Sequence, residues 1–193
     1  MTNPIARPRI YLAGPEVFLP DPMAAGRRKQ ALCDTHGFAG VFPLDADLDL
    51  AGLTKTEAAR RISLANEGLM RSCDLLIANL TPFRSVSVDA GSAFEVGFTR
   101  ALGRPVLGYT NTPLDLRRRS EMARAGQRLP FDADGPTIAI EDFDLAENLM
   151  IEIAIIESGG TLVRTTVAPG AEMTDLAGFE ACLTQAQTIA ARR

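Results

Sequence analysis

The stretch DAGSAFEVGF, residues 89–98, places one carboxylate, Glu95, among small and apolar neighbours. On a helix its neighbours three and four positions away are Gly91, Ser92, Phe98 and Thr99, so no Lys or Arg pairs with it. A carboxylate with no cation beside it and an aromatic ring nearby can serve as a nucleophile or as a general acid or base. The ordinary alternative is a solvent-exposed helix glutamate. Gly91 leaves open space next to it. Asp89, six residues earlier, fits a helix N-cap, where an Asp accepts a backbone N–H. Tyr11, between Ile10 and Leu12, is either a hydroxyl offered to a site or a core tyrosine with a satisfied hydroxyl. Asp74 opens an apolar run, a place where an acid is ordinarily a loop residue held by a hydrogen bond.

Other chemistries have little to stand on. The single histidine, His36 in THG, reads as a helix end, which leaves a His-based metal site or a Ser-His-Asp triad unsupported. Cys33, Cys73 and Cys182 are scattered without a CxxC, as expected of buried thiols in a reducing, cytoplasmic setting. No metal or cofactor is expected. Net charge is −4, which does not favour nucleic acid or an anionic membrane. No apolar run approaches the roughly 20 residues of a membrane helix, and the N-terminus carries no signal-peptide core.

These residues need elements to position them. Residues 9–14, 39–44, 74–80 and 104–110 read as short strands; 74–80 is apolar throughout, as when both faces are covered. Residues 137–140 and 161–165 are candidate further strands. Helices are predicted over 21–36, 54–72, 89–102, 145–158 and 174–192, with Thr54 and Glu57 forming a capping box. Residues 111–136 carry Pro, Gly and many charges and give no clear pattern. The alternation predicts an α/β fold, a flavodoxin-like doubly wound parallel sheet of about five strands with helices on both faces. Residues 1–193 are expected to form a single domain, with a core over about 9–158 and a helical extension over about 160–193. In helix 89–102 the residues Ala90, Ala93, Phe94, Gly97 and Ala101 share a face, predicted to pack on the sheet. In such folds ligands bind outside the carboxyl ends of the strands, where the strand order reverses. The loops at AGPEVF and TPFRSVSV open there, which brings Glu95 beside the expected site.

Taken together, IYLAGPEVF, CDLLIANL, the block D-A-G-S-A-F-E-V-G-F-x-x-A-L-G-R-P-V and AENLM resemble the nucleoside 2-deoxyribosyltransferases, in that family's order and over roughly residues 9–155. The resemblance implies a double displacement at the anomeric carbon of a 2-deoxynucleoside, with a second nucleobase as acceptor and net retention. The nucleophile falls on Glu95, and the tyrosine that orients it on Tyr11. The sugar-binding aspartate falls on Asp89, and the aspartate that contacts and protonates the base on Asp74. Phe18 would stack on the base, and Gly14 and Gly91 fall among the substrate-contacting positions. Asn148 and Met150 would reach the neighbouring subunit's site, so a homo-oligomer, at least a dimer with shared sites, is implied. The alternative for Asn148 and Glu147 is a plain helix N-terminus.

Two rivals remain open at this stage. A related hydrolase would use the same glutamate on deoxynucleoside 5′-monophosphates, with Arg84, Ser85 and Ser87 as phosphate donors; Asp89 would repel that phosphate. A non-enzymatic nucleotide-binding or sensing module is the rival of another class. The arginines at 117, 118, 119, 124 and 128 read as a solvated helix or a lid rather than a nucleic-acid patch, since no aromatic residue lies between them. Asp45 and Asp47 are candidate base-side contacts or plain loop acids.

Overall fold

Five short apolar runs form one parallel sheet: β1 (Arg9–Ala13), β2 (Ala39–Val41), β3 (Leu75–Asn79), β4 (Val106–Thr110) and β5 (Leu162–Arg164). The strand order is β2-β1-β3-β4-β5, the flavodoxin-like order, with its reversal between β1 and β3. The computed structural model describes residues 7–126 and 139–192. The expected strand at 137–140 falls partly outside those residues, as does the arginine at 128; Ala139 and Ile140 have no regular structure.

Both faces of the sheet are covered, which is why β3 and β4 are buried at every position and mostly apolar, polar only at their carboxyl ends, Asn79 and Thr110. Alternate residues serve opposite layers. Ile10, Leu12, Leu75, Ile77 and Leu107 face α1 (Pro22–Thr35) and α6 (Ala177–Ala190), which contribute Cys33, Phe179 and Leu183. Tyr11, Ala13, Leu76, Ala78 and Val106 face α2 (Lys55–Arg71), α3 (Ala90–Ala101) and α5 (Leu149–Glu157), through Met70, Val96 and Ile155. Each fully buried Leu or Ile here contributes about 2 kcal/mol relative to exposure. The expected C-terminal extension is part of this core: β5 closes the sheet edge and α6 packs on β4.

The helix ends follow their capping residues. The Asp21 side chain accepts from Ala24 N at 2.8 Å, and Thr54 and Glu57 cap α2 reciprocally. His36 is the C-cap of α1, its Nδ1 2.9 Å from the Leu32 carbonyl. α5 begins at Leu149 rather than at 145, because Asn148 caps it and Glu147 is drawn into a buried ion pair. Within residues 111–136 the arginine run lies on a helix, α4 (Leu116–Gly126), one of the two readings its charges allowed. Its exposed polar composition hides any apolar period.

One prediction about α3 is reversed. Its sheet-facing stripe is Ser92, Val96 and Thr99; of the expected face only Ala93 packs against the core, while Ala90, Phe94, Gly97 and Ala101 are exposed. The inward stripe follows i, i+4, i+7 spacing with short side chains, which lets the helix approach the sheet closely. The other apolar face points outward, and Phe94 is 55% exposed.

Candidate active site

At the carboxyl ends of β1 and β3 lies a cleft of about 320 Å³. The turn after β1 supplies Gly14, Val17 and Phe18, and the segment after β2 supplies Pro43 and Leu44. Ile62 and Asn66 come from α2, and Asp89, Gly91, Ser92 and Glu95 from the first turns of α3. Its position is the one the reversal of strand order dictates.

Glu95 is half-buried, and its Oε1 accepts a hydrogen bond from the Tyr11 hydroxyl at 2.8 Å. Tyr11 is fully buried in the middle of β1, so its ring is fixed by packing and its hydroxyl has one direction to point. Burial and the adjacent Glu95 charge push the phenol far up, so it stays a donor. Among the described residues no Lys or Arg forms an ion pair with Glu95. Burial pushes its carboxyl up to about 7; the Tyr11 hydrogen bond works against this, and the charges of Asp89 and Glu16 add to it.

Asp89 caps α3 with Oδ2, which accepts from Gly91 N at 3.0 Å and Ser92 N at 3.3 Å. Oδ1 makes no hydrogen bond among the described residues, so capping leaves one oxygen for a ligand. A Cβ on Gly91 would stand 2.9 Å from Oδ2. Gly14 has φ +152°, and a Cβ there would meet Asn79 Cβ at 2.8 Å; only glycine lets the chain pass this wall of the cleft. Phe18 is half exposed at the rim and stacks on Phe83 with centroids 5.4 Å apart. The Arg84 guanidinium covers both rings, at 4.7 and 4.6 Å.

Asp74 does not join this group. It precedes β3, at the amino edge of the sheet, where Arg9 N donates to its Oδ2 at 2.7 Å and Asp74 N donates to Arg9 O at 2.8 Å. The cleft is at the opposite edge. The expected base-protonating role of Asp74 is corrected on that ground: parallel strands begin at one edge, and a residue before β3 lies beside the residue that opens β1. Asp45 is occupied by Phe42 N and Gln30, and neither it nor Asp47 lines the cleft.

Asn148 and Met150 are outside their own chain's cleft. The Asn148 side chain caps α5 at Met150 N and donates to Glu141 at 2.6 Å; Met150 is 73% exposed. Behind them, buried Glu147 accepts from Arg119 at 2.9 Å, Val88 N at 3.1 Å and the Ser87 hydroxyl at 2.5 Å. Arg119 also donates to the carbonyls of Val86, Leu114 and Ala146. So Arg119 is a buried tie between α4, the loop before Asp89 and the segment before Asn148, rather than part of a solvated face. Arg117 and Arg118 pair with Glu121.

Sequence reasoning missed Val17, Leu44, Ile62 and Asn66. Ile62 and Asn66 share one face of α2 at i, i+4 spacing, but nothing in the sequence told which way that face turned. Among the described residues no group of three or more His, Cys, Asp or Glu is placed to hold a metal ion, and no helix is long and apolar enough to cross a membrane.

A flavodoxin-like sheet with two carboxylates in a cleft at its switch point defines a class of small-ligand α/β protein. The family description of the nucleoside 2-deoxyribosyltransferases matches residues 10–150, and the chain belongs to that family. An uncharacterised protein of Schizosaccharomyces pombe is 31% identical over 169 residues, 79% of each chain. A solved structure described as a 2-desoxiribosyltransferase from Leishmania mexicana is similar at 32% identity and a TM-score of 0.57, over 75% of this chain and 85% of that one. A conserved protein from Enterococcus faecalis shares the fold at 19% identity and a TM-score of 0.56, over 94% and 99% of the two chains.

Proposed function

We propose that this chain is a nucleoside 2-deoxyribosyltransferase that exchanges the base of 2′-deoxynucleosides through a covalent deoxyribosyl-Glu95 intermediate. The observation that carries the reading is Glu95 itself: a carboxylate with no cation paired to it among the described residues, lining the cleft and held by the buried Tyr11 hydroxyl at 2.8 Å. Its family membership and its likeness to the Leishmania mexicana protein support the same reaction.

In this mechanism ionised Glu95 attacks C1′ and an ester bond forms. The C1′–N bond breaks, its electron pair leaving with the base. Asp89 and Glu95 are the only ionisable residues lining the cleft among the described residues, so the departing base takes its proton from water in the cleft. An incoming base then attacks C1′ and gives up its N–H proton to the hydroxide left in the cleft; the ester bond breaks, Glu95 leaves as carboxylate and the original configuration is restored. The negative charge of Glu95 favours the cationic character that C1′ develops. Tyr11 holds the attacking oxygen in line, and Asp89 Oδ1 accepts from a sugar hydroxyl. Phe18 offers a ring face to the base, and Gly14 and Gly91 let the substrate approach the backbone closely.

The functional unit in this reading is a homo-oligomer, at least a dimer. α3 and α5 lie side by side and expose Phe94, Gly97 and Ala101 beside Met150, Ile153 and Ile156. A second copy covering this surface would bring its Asn148 and Met150 to the neighbouring cleft.

The hydrolase reading gains no support from the phosphate donors considered for it. Ser87 donates to Glu147, Ser85 to the Ser87 carbonyl, and Arg84 lies on the two phenylalanine rings. A base-exchange assay tests the proposal: deoxyinosine with free adenine, then deoxyuridine with free adenine, followed by chromatography. New deoxyadenosine from the wild type and none from Glu95→Ala is expected. Free base released without exchange would mean hydrolysis, and no turnover with either donor would favour the binding module.

A further inference from the structure

A buried ion pair behind the cleft has no part in the steps above. Glu16, in the turn after β1, and Lys29, on α1, are 2% and 1% exposed and contact each other through Glu16 Oε1. The same oxygen accepts from Asn79 Nδ2 at 2.9 Å and from the Tyr109 hydroxyl at 3.1 Å. Lys29 Nζ lies 5.4 Å from the ring centroid of Tyr109 and 5.3 Å from that of Phe179. One carboxylate thus joins the turn, α1, β3 and β4. Its second oxygen, Oε2, is buried without a hydrogen bond among the described residues and faces Gly14, where a Cβ would collide with it.

Stability alone is a weak reason for such a pair. Its site is walled by aromatic rings, and apolar side chains of similar volume in place of a buried ion pair are often neutral or stabilising. We infer that Glu16 and Lys29 form a positioning pair for Glu95: they fix the turn that walls the cleft and hold the negative end of a buried dipole behind Gly14. The functional consequence rests on the reading of Glu95 as the nucleophile.

The groups facing Glu95 are few. β1 presents the Tyr11 hydroxyl, the N-cap of α3 presents Asp89, and the turn presents Glu16. α2 and the segment after β2 present only Ile62, Asn66, Pro43 and Leu44, all uncharged. The Glu16 charge adds to the larger effects of burial and of Asp89 on Glu95, through a wall that its own hydrogen bonds hold in place. It raises the proton affinity of that carboxylate, and a more basic carboxylate is a stronger nucleophile once ionised. The turn it anchors carries Val17 and Phe18 into the cleft, which couples the pair to substrate placement as well.

The test is a ¹³C NMR titration of the Glu95 carboxyl in the full chain, assigned by Glu95→Gln, for the wild type, Glu16→Gln and Glu16→Gln/Lys29→Met. The double variant removes both charges, so no lone ion is buried. Its Glu95 midpoint should fall by roughly half a pH unit, and that of Glu16→Gln by more, because Lys29 is then uncompensated. The acid limb of kcat/KM should move with it. An unchanged midpoint in a folded double variant overturns the inference. So does a double variant that cannot fold, which would make the pair a folding element. A midpoint that moves in a protein with no exchange activity would sink the catalytic reading and leave the pair standing; exchange with an unmoved midpoint would do the reverse.

Discussion

Glu95 holds its proton more tightly than an ordinary glutamate because the cleft is poorly solvated, and this has two measurable signs. An unfolded chain loses that proton near 4.5 and the folded chain only near 7. The contribution of Glu95 to stability therefore falls as pH rises through that interval and is constant on either side. Glu95→Gln removes the penalty: it should be more stable than the wild type at pH 8 by about 3 kcal/mol, with no gain at pH 4, as thermal melts at the two pH values will read. In activity the sign is opposite, since attack needs the ionised form, so kcat/KM should decline below about 7. Tyr11→Phe removes the bond that favours that form. The expectation is an acid limb displaced to higher pH and a kcat lower by roughly 10- to 100-fold, read from pH–rate profiles of both proteins. Glu95 stood out in the sequence by the absence of a cation at helical spacing. Asp74 fits the motif but not the site, because a residue that precedes a parallel strand lies at the amino edge of the sheet, and the cleft is at the carboxyl edge.

Each of two elements carries a double duty that substitutions can separate. Asp89 starts α3 and faces the cleft. Asn caps as well as Asp but lacks the charge, so Asp89→Asn should change stability by less than about 0.5 kcal/mol while raising KM for the nucleoside. Equal loss of both would mean that capping is its only task. The Arg119–Glu147 pair ties α4 to the loop before Asp89. Arg119→Met leaves Glu147 buried without its cation and should cost about 3 kcal/mol in denaturant unfolding. The sheet and most helices were legible because apolar runs and caps are local signals. α4 was legible only as one reading of the arginine run, because its one buried side chain among the described residues is Arg119, which apolar periodicity does not register. The outward turn of the Phe94 face of α3 was also hidden: short side chains at Ser92, Val96 and Thr99 choose the sheet side, and apolarity alone does not.

At the scale of the molecule, the reversal of strand order between β1 and β3 places the cleft, and the proposed dimer would meet through the exposed apolar surface of α3 and α5. Phe94→Lys should halve the mass in light scattering and lower exchange at least tenfold while the monomer stays folded. An unchanged mass would place the interface elsewhere. The central claim is that Glu95 becomes glycosylated. Its most direct test is intact-mass analysis of protein quenched during turnover of a deoxynucleoside, without acceptor base, followed by peptide mapping. One deoxyribosyl unit is expected on the peptide carrying Glu95, lost on adding free adenine and absent in Glu95→Gln. Base exchange with no adduct at any quench time, or an adduct on another residue, would contradict it.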